Sequence, residues 1–136
     1  MADIVKPVVH LFFPCDEAVL DLADEKWTLK NPWHTVAMPP GITANFVQEE
    51  IWLYAQLTGG VGTFRFSVQL RDETGRVVGK SKPSDERDLS GGNQVFEEVF
   101  HLIRVPFDTP GLYEFKLLGN HAELEGGTAY LRVLPG

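Results

Sequence analysis

Residues 46–78, FVQEEIWLYAQLTGGVGTFRFSVQLRDETGRVV, decide the fold class of this chain. From Ile51 to Leu57 the side chains alternate, with Ile51, Leu53, Ala55 and Leu57 on one face and Trp52, Tyr54 and Gln56 on the other. Residues 64–71 also alternate, with Phe64, Phe66, Val68 and Leu70 opposed to Arg65, Ser67, Gln69 and Arg71. A period of two is typical of a half-buried β-strand, so both stretches are predicted strands.

Turn sequences interrupt this region twice. Thr58-Gly59-Gly60-Val61-Gly62 predicts a loop between neighbouring antiparallel strands, because glycine adopts positive φ values at little energetic cost. Asp72-Glu73-Thr74-Gly75 predicts a second hairpin, from which Arg76-Val77-Val78 returns. Three such strands cannot bury their apolar faces by themselves, so a second layer is expected to cover them.

The rest of the chain repeats this pattern at short, regular spacing. Further strands are predicted at Val8 to Phe13, Ala18 to Leu20, Lys26 to Leu29, Val95 to Val105, Leu112 to Leu118 and Thr128 to Leu134, with short extended pieces at Trp33 to Met38 and Ala122 to Glu125. About eight strands and no convincing helix predict an all-β chain. We expect one domain over residues 1–136, an antiparallel β-sandwich of immunoglobulin-like or jelly-roll-like type.

Some segments are less regular. Pro14 is expected to end the first strand, and Asp16 allows a short helix as an alternative to a hairpin that returns at Lys26. Residues 42–50 carry no strong period and are predicted to be a crossover. Ser81 to Asn93 is predicted to be a long, mobile connection. The strand from Val95 to Val105 is apolar on both faces, so its outer face is expected to be at least partly covered.

Composition limits the function classes. The chain has 136 residues, 43% of them hydrophobic, and a formal net charge of −7, which disfavours nucleic acid and anionic membranes as partners. No apolar run approaches the roughly 20 residues that span a bilayer. Met1 to Pro7 lacks the features of a signal peptide, so a cytoplasmic location is expected. Cys15 is the only cysteine, which excludes an intrachain disulfide, and it is expected to be a small buried residue.

One late segment carries a family resemblance. Asp108-Thr109-Pro110-Gly111-Leu112-Tyr113-Glu114-Phe115 resembles the turn and strand near the end of immunoglobulin-like sandwiches, where a tyrosine anchors the corner. With Cys15-Asp16 after an early strand and the glycine-rich turn after Leu57, the chain resembles a family of small uncharacterised bacterial β-sandwich proteins. The resemblance implies a fold and no activity. Because the immunoglobulin cysteine pair is absent, any relation to antibody domains is loose.

Residues that support catalysis or metal binding are scattered. The four histidines, none of which lies two to four residues from another, are His10, His34, His101 and His121. Ser81, Ser84 and Ser90 lie in the polar connection and form no Gly-x-Ser-x-Gly motif. Adjacent carboxylates at Glu49-Glu50 and Glu97-Glu98 point to opposite faces of a strand, calcium-loop spacing is missing, and no phosphate-binding loop is present. We therefore expect no catalytic residue, no metal site and no cofactor.

Aromatic side chains are the remaining functional signal. The candidate binding residues are Trp52, Tyr54, Trp33, Trp27 and Tyr130. Aromatic rings on a flat sheet can cover a protein partner or stack on sugars, although the same rings can also lie beneath loops or a second sheet. The hypothesis is a non-enzymatic interaction or scaffold module that binds a protein partner or self-associates through the Trp52/Tyr54 face. The alternative is a carbohydrate- or small-ligand-binding domain.

Overall fold

The computed structural model describes residues 4–92 and 94–136. Met1, Ala2 and Asp3, which belong to the segment tested for a signal peptide, and Asn93, which ends the predicted connection, lie outside them. The described residues form eleven strands: β1 (Val8–Asp21), β2 (Lys26–Pro32), β3 (Thr35–Ala37), β4 (Phe46–Thr58), β5 (Val61–Phe64), β6 (Phe66–Arg71), β7 (Val77–Lys80), β8 (Arg87–Ser90), β9 (Val95–Phe107), β10 (Gly111–Gly119) and β11 (Ala122–Leu134). The all-β prediction is confirmed, with eleven strands in place of about eight.

The strands form two larger sheets and a small ribbon. The four-stranded sheet has the order β2-β1-β4-β9, and the five-stranded sheet has the order β3-β11-β10-β6-β7. Strands β5 and β8 pair as a separate ribbon. Neighbouring strands are antiparallel except β3 and β11, which are parallel.

One hydrophobic core takes side chains from both larger sheets. Its fully buried members include Ile51, Leu53, Ala55 and Leu57 of β4, Phe66 and Val68 of β6, and Phe115 and Leu117 of β10. The alternation predicted from the sequence is therefore confirmed on β4 and β6. Two sheets that share one core are consistent with a β-sandwich.

The glycine loop after β4 does not join neighbouring strands, so that prediction is wrong. Gly59 and Gly60 do adopt positive φ values, 74° and 87°. However, β4 already pairs with β1 on one edge and β9 on the other, which leaves no edge for the strand that follows. The chain passes through β5 and enters the five-stranded sheet at β6. The second predicted hairpin is confirmed, since β6 pairs with β7 around Gly75, whose φ is 85°.

Several strands are longer than their sequence pattern predicts. β4 begins at Phe46, because residues 46–50 find partners in the last part of β9, so the crossover predicted for residues 42–50 is shorter. β1 continues past Pro14 to Asp21, and the hairpin favoured for this region is confirmed by the pairing of Asp21 with Lys26. The connection after β7 contains the short strand β8. The arm at Ala122 and the last strand are one strand, β11, rather than two.

The corner before β10 has the predicted tyrosine anchor. Tyr113 is buried, and its hydroxyl donates a hydrogen bond of 2.6 Å to the carbonyl of Thr109. The ring of Tyr113 also packs edge-on against Phe107, with 5.1 Å between centroids. This corner therefore ties the end of β9 to the start of β10.

Candidate functional site

The outward-pointing side chains of β1, β4 and β9 form one continuous surface. Residues that face each other across antiparallel strands point to the same side of the sheet, and the register pairs Phe13 with Tyr54, Tyr54 with Val99, and Trp52 with His101. We call this surface the outer sheet face and define it by Leu11, Phe13, Trp52, Tyr54, Val95, Val99, His101 and Ile103. Alternate positions on the same strands lie in the core, which fixes the direction of these side chains.

Trp52 and His101 form the centre of the outer sheet face. Their rings stack with 4.0 Å between centroids and 8° between planes. His101 Nε2 lies 3.0 Å from Glu50 Oε1, so the imidazole is held from two sides. The indole is thereby fixed beside the imidazole at a half-buried position.

Tyr54 lies on the same face as Trp52 but is only 5% exposed. The ring of Phe13 packs against it, with 5.6 Å between centroids, and its hydroxyl donates a hydrogen bond to Glu97. Burial, with a further contribution from the Glu97 carboxylate, raises the pKa of Tyr54 to about 12. Tyr54 is therefore shielded from solvent by its neighbours on this face, whereas the ring of Trp52 is partly exposed to solvent.

Three apolar side chains of the outer sheet face remain open to solvent. Leu11 is 46% exposed, Val95 is 55% exposed and Ile103 is 65% exposed. The outer face of β9 is thus covered in part, as expected, because Glu97 and Val99 are half-buried, but it is open at Val95 and Ile103. The physical reason is that β9 ends its sheet, so its outward side chains have a neighbouring strand on one side only.

The other candidate aromatics lie elsewhere. Trp33 and Tyr130 come together at a shallow groove of about 340 Å³, which Phe13 and His34 also line. Tyr130 is 61% exposed, whereas Trp33 is half-buried against the core. Trp27 belongs to the β1–β2 hairpin, where it faces Leu20 across the strand pair. The five predicted binding residues therefore fall on three separate parts of the molecule.

Sequence reasoning missed one buried charge. Glu98 is 5% exposed on β9 and forms an ion pair with Arg87 of β8. Burial raises the pKa of Glu98, and the Arg87 guanidinium partly opposes this effect. The burial of Glu98 could have been predicted from the sequence. Glu98 lies midway between Phe96 and Phe100, where alternation predicts a side chain that points into the core.

The residues that carry chemistry stay apart. Within residues 4–92 and 94–136, no three His, Cys, Asp or Glu side chains come together in a way that would hold a metal ion. His10 contacts Thr58, His34 contacts Thr35, and His101 contacts Glu50, each at a different place. In the same part of the chain, no helix combines the length and apolar character that crossing a bilayer requires.

No protein-family model matches the chain, and a search of curated proteins finds no match.

Proposed function

We propose that the protein is an antiparallel β-sandwich that serves as a non-enzymatic interaction module in the cytoplasm and self-associates through the outer sheet face. The single observation that carries this proposal is the set of exposed apolar side chains on the outer sheet face, above all Ile103, which lies two residues from His101 and is 65% exposed. Several exposed apolar side chains on one face of a sheet mark an interaction site more often than a single scattered exposed leucine does.

The size of the surface predicts a weak contact. β1, β4 and β9 lie side by side over the seven residues from Trp52 to Thr58 of β4, which gives a footprint of roughly 340 Å² at the usual strand spacing and rise. A standard stable interface takes about 800 Å² from each partner. We therefore expect a reversible dimer with a dissociation constant in the micromolar range or above.

The charges on this sheet favour a second copy as the occupant. The chain carries a net charge of −7, so two copies repel each other unless the surfaces that meet are close to neutral. On the outer side of the sheet, Lys30 lies 3.6 Å from Glu17 and His101 lies 3.0 Å from Glu50, while Glu97 accepts the hydroxyl of Tyr54. The Glu97 carboxylate keeps its charge when it accepts a neutral hydroxyl, so a second copy fits about a twofold axis in an arrangement that keeps the two copies of Glu97 apart.

A matched pair of charge insertions tests the proposal. Ile103→Lys places a charge on the outer sheet face, whereas Leu112→Lys places one at the 43% exposed Leu112 of β10 in the other sheet. Sedimentation velocity at several protein concentrations is expected to show dimer loss for Ile103→Lys and wild-type behaviour for Leu112→Lys. Equal effects of the two variants, with unchanged far-ultraviolet circular dichroism, would contradict the assignment.

Trp52→Ala gives an independent check at the centre of the surface. It removes the ring that stacks on His101 without adding a charge, and we expect at least a severalfold weaker dimer. A dimer unchanged by both Trp52→Ala and Ile103→Lys would show that another surface is responsible.

A second candidate function is binding of a carbohydrate or small ligand. The observation that favours it is the groove flanked by Trp33 and Tyr130, since aromatic rings beside a shallow groove can stack on a sugar ring. Titration of an oligosaccharide panel, followed by tryptophan fluorescence, is expected to produce quenching that Trp33→Phe abolishes. No change with any sugar would remove this alternative.

A further inference from the structure

A groove of about 520 Å³ lies between the edges of the two larger sheets. β7 ends the five-stranded sheet and β9 ends the four-stranded sheet, and both strands contribute to the lining. The groove also takes residues from the segment after β7, which includes Ser81 and Ser84. It is separate from the groove at Trp33, but it shares Val99, His101 and Ile103 with the outer sheet face.

The charge of this groove is opposite to that of the whole chain. Its basic lining residues are Lys80, Lys82 and Arg104, and no aspartate or glutamate lines it. The chain as a whole has a net charge of −7. No ion pair among the described residues involves these three basic side chains. A local excess of positive charge in an acidic protein attracts an anionic partner.

The inner part of the groove is apolar. Leu70, Phe100 and Val105 line it, and all three belong to the hydrophobic core. A ligand that fits must therefore combine acidic groups with apolar groups. An extended peptide meets this requirement when acidic and apolar residues alternate, because successive side chains of a strand point to opposite sides.

The backbone of β9 supplies the remaining recognition element. β9 pairs with β4 along one edge, and no strand of the described chain pairs with its other edge. The opposite wall offers a shorter edge, because β7 has only four residues, and beyond it the hydroxyls of Ser81 and Ser84 accept hydrogen bonds from the amides of Val68 and Phe66 of β6, at 2.8 Å and 2.9 Å. The edge of β9 is thus the place where a further strand can add to the sheet.

We propose that this groove binds an extended acidic segment of a partner protein, which adds as a strand to the edge of β9. Its carboxylates pair with Lys80, Lys82 and Arg104, and its alternate apolar side chains lie toward Leu70 and Phe100. This goes beyond the proposed function, since the occupant is a different protein and self-association is not required.

Synthetic peptides and the unmodified 136-residue chain test this proposal. The probe is a fluorescein-labelled nine-residue peptide in which glutamate and valine alternate, measured by fluorescence polarisation. We expect saturable binding that weakens as salt is added, because screening reduces the attraction between charges. A matched peptide with glutamine in place of glutamate is expected to bind roughly tenfold more weakly, and one with N-methylated backbone amides is expected to lose binding because it cannot form a strand ladder.

Variants locate the binding site. Lys80→Glu combined with Lys82→Glu is expected to abolish binding. Lys6→Glu combined with Lys26→Glu, the same charge change at two exposed sites outside the groove, is expected to leave binding nearly intact. Equal binding of the glutamate and glutamine peptides, or of the methylated peptide, would overturn the proposal. So would binding of decanoate at this groove together with no binding of the peptide, since that would identify a small amphiphilic anion as the ligand.

Discussion

Trp52 lies flat on His101, with 4.0 Å between ring centroids and 8° between ring planes. The two residues face each other on β4 and β9, so the register of these strands creates the stack. Glu50 holds the far side of the imidazole at 3.0 Å. As a result, the indole cannot leave this position without breaking the stack.

Removing the imidazole should expose the indole. In a Trp27→Phe/Trp33→Phe background Trp52 is the only tryptophan, and His101→Ala is expected to shift its fluorescence emission to longer wavelength, because one ring face gains contact with water. His34→Ala in the same background serves as control, since His34 contacts Thr35 and no shift is expected. Identical spectra for the His101 variant and its parent would contradict the stacked arrangement.

The tyrosine corner should contribute measurably to stability. Tyr113→Phe removes the partly buried hydrogen bond to the Thr109 carbonyl, so we expect a loss of about 0.5–1.5 kcal/mol in the free energy of unfolding. Urea denaturation measures this loss. Tyr130→Phe removes a tyrosine hydroxyl at a 61% exposed site, and the free energy of unfolding is expected to change by no more than about 0.5 kcal/mol. Equal losses of stability in Tyr113→Phe and Tyr130→Phe would contradict the prediction that the tyrosine corner stabilises the protein.

The buried pair of Glu98 and Arg87 should make stability depend on pH. The folded state raises the pKa of Glu98, mainly through burial, so folding binds a proton at this site. Its contribution to stability is therefore greatest below the ordinary glutamate pKa and falls as the pH rises through the raised value. We expect Arg87→Ala to steepen this fall, because the carboxylate loses its partner, and Glu98→Gln to remove it.

Denaturation at several pH values distinguishes these outcomes. At neutral pH, Arg87→Ala is expected to cost about 1–3 kcal/mol, with most of the loss recovered near pH 4, where the carboxyl group is protonated. An equal loss of stability in Arg87→Ala at neutral pH and near pH 4 would mean that Arg87 stabilises the protein through packing rather than through the charge of Glu98.

Cys15 should be inert in the folded protein. Its side chain is fully buried, and burial, with a smaller contribution from the Asp16 carboxylate, raises the pKa of the thiol. Because the thiolate is the reactive form, a thiol reagent at pH 8 is expected to label Cys15 only after denaturant is added. Ser90→Cys in a Cys15→Ser background supplies an exposed control that should react without denaturant. Rapid labelling of native Cys15 would contradict its burial.

Alternation made much of the fold predictable. Phe66 and Val68 point into the core because one face of β6 is buried, and this leaves a period of two in the sequence. The pairing of one strand with another leaves no comparable pattern in the sequence. β4 pairs with β1 and β9, which are distant in sequence, and the glycines at 59 and 60 permit a turn without specifying which sheet the chain enters next.

The candidate site was predictable only in part for the same reason. The direction of Trp52 follows from alternation, but its stack on His101 depends on a strand pair that is nearly fifty residues apart. Tyr54 shares the outward direction and is nevertheless buried, because Phe13 and Val99 from two other strands lie beside it. Alternation gives the direction of a side chain, and only its neighbours decide whether solvent reaches it.

The central claim is that two copies of this chain meet through the outer sheet face, and sedimentation equilibrium of the unmodified protein tests it most directly. Across protein concentrations up to about 1 mM, we expect a reversible shift from the mass of one chain to the mass of two, and higher salt should strengthen the dimer by screening the net charge of −7. A single-chain mass at every concentration and salt level would contradict the claim.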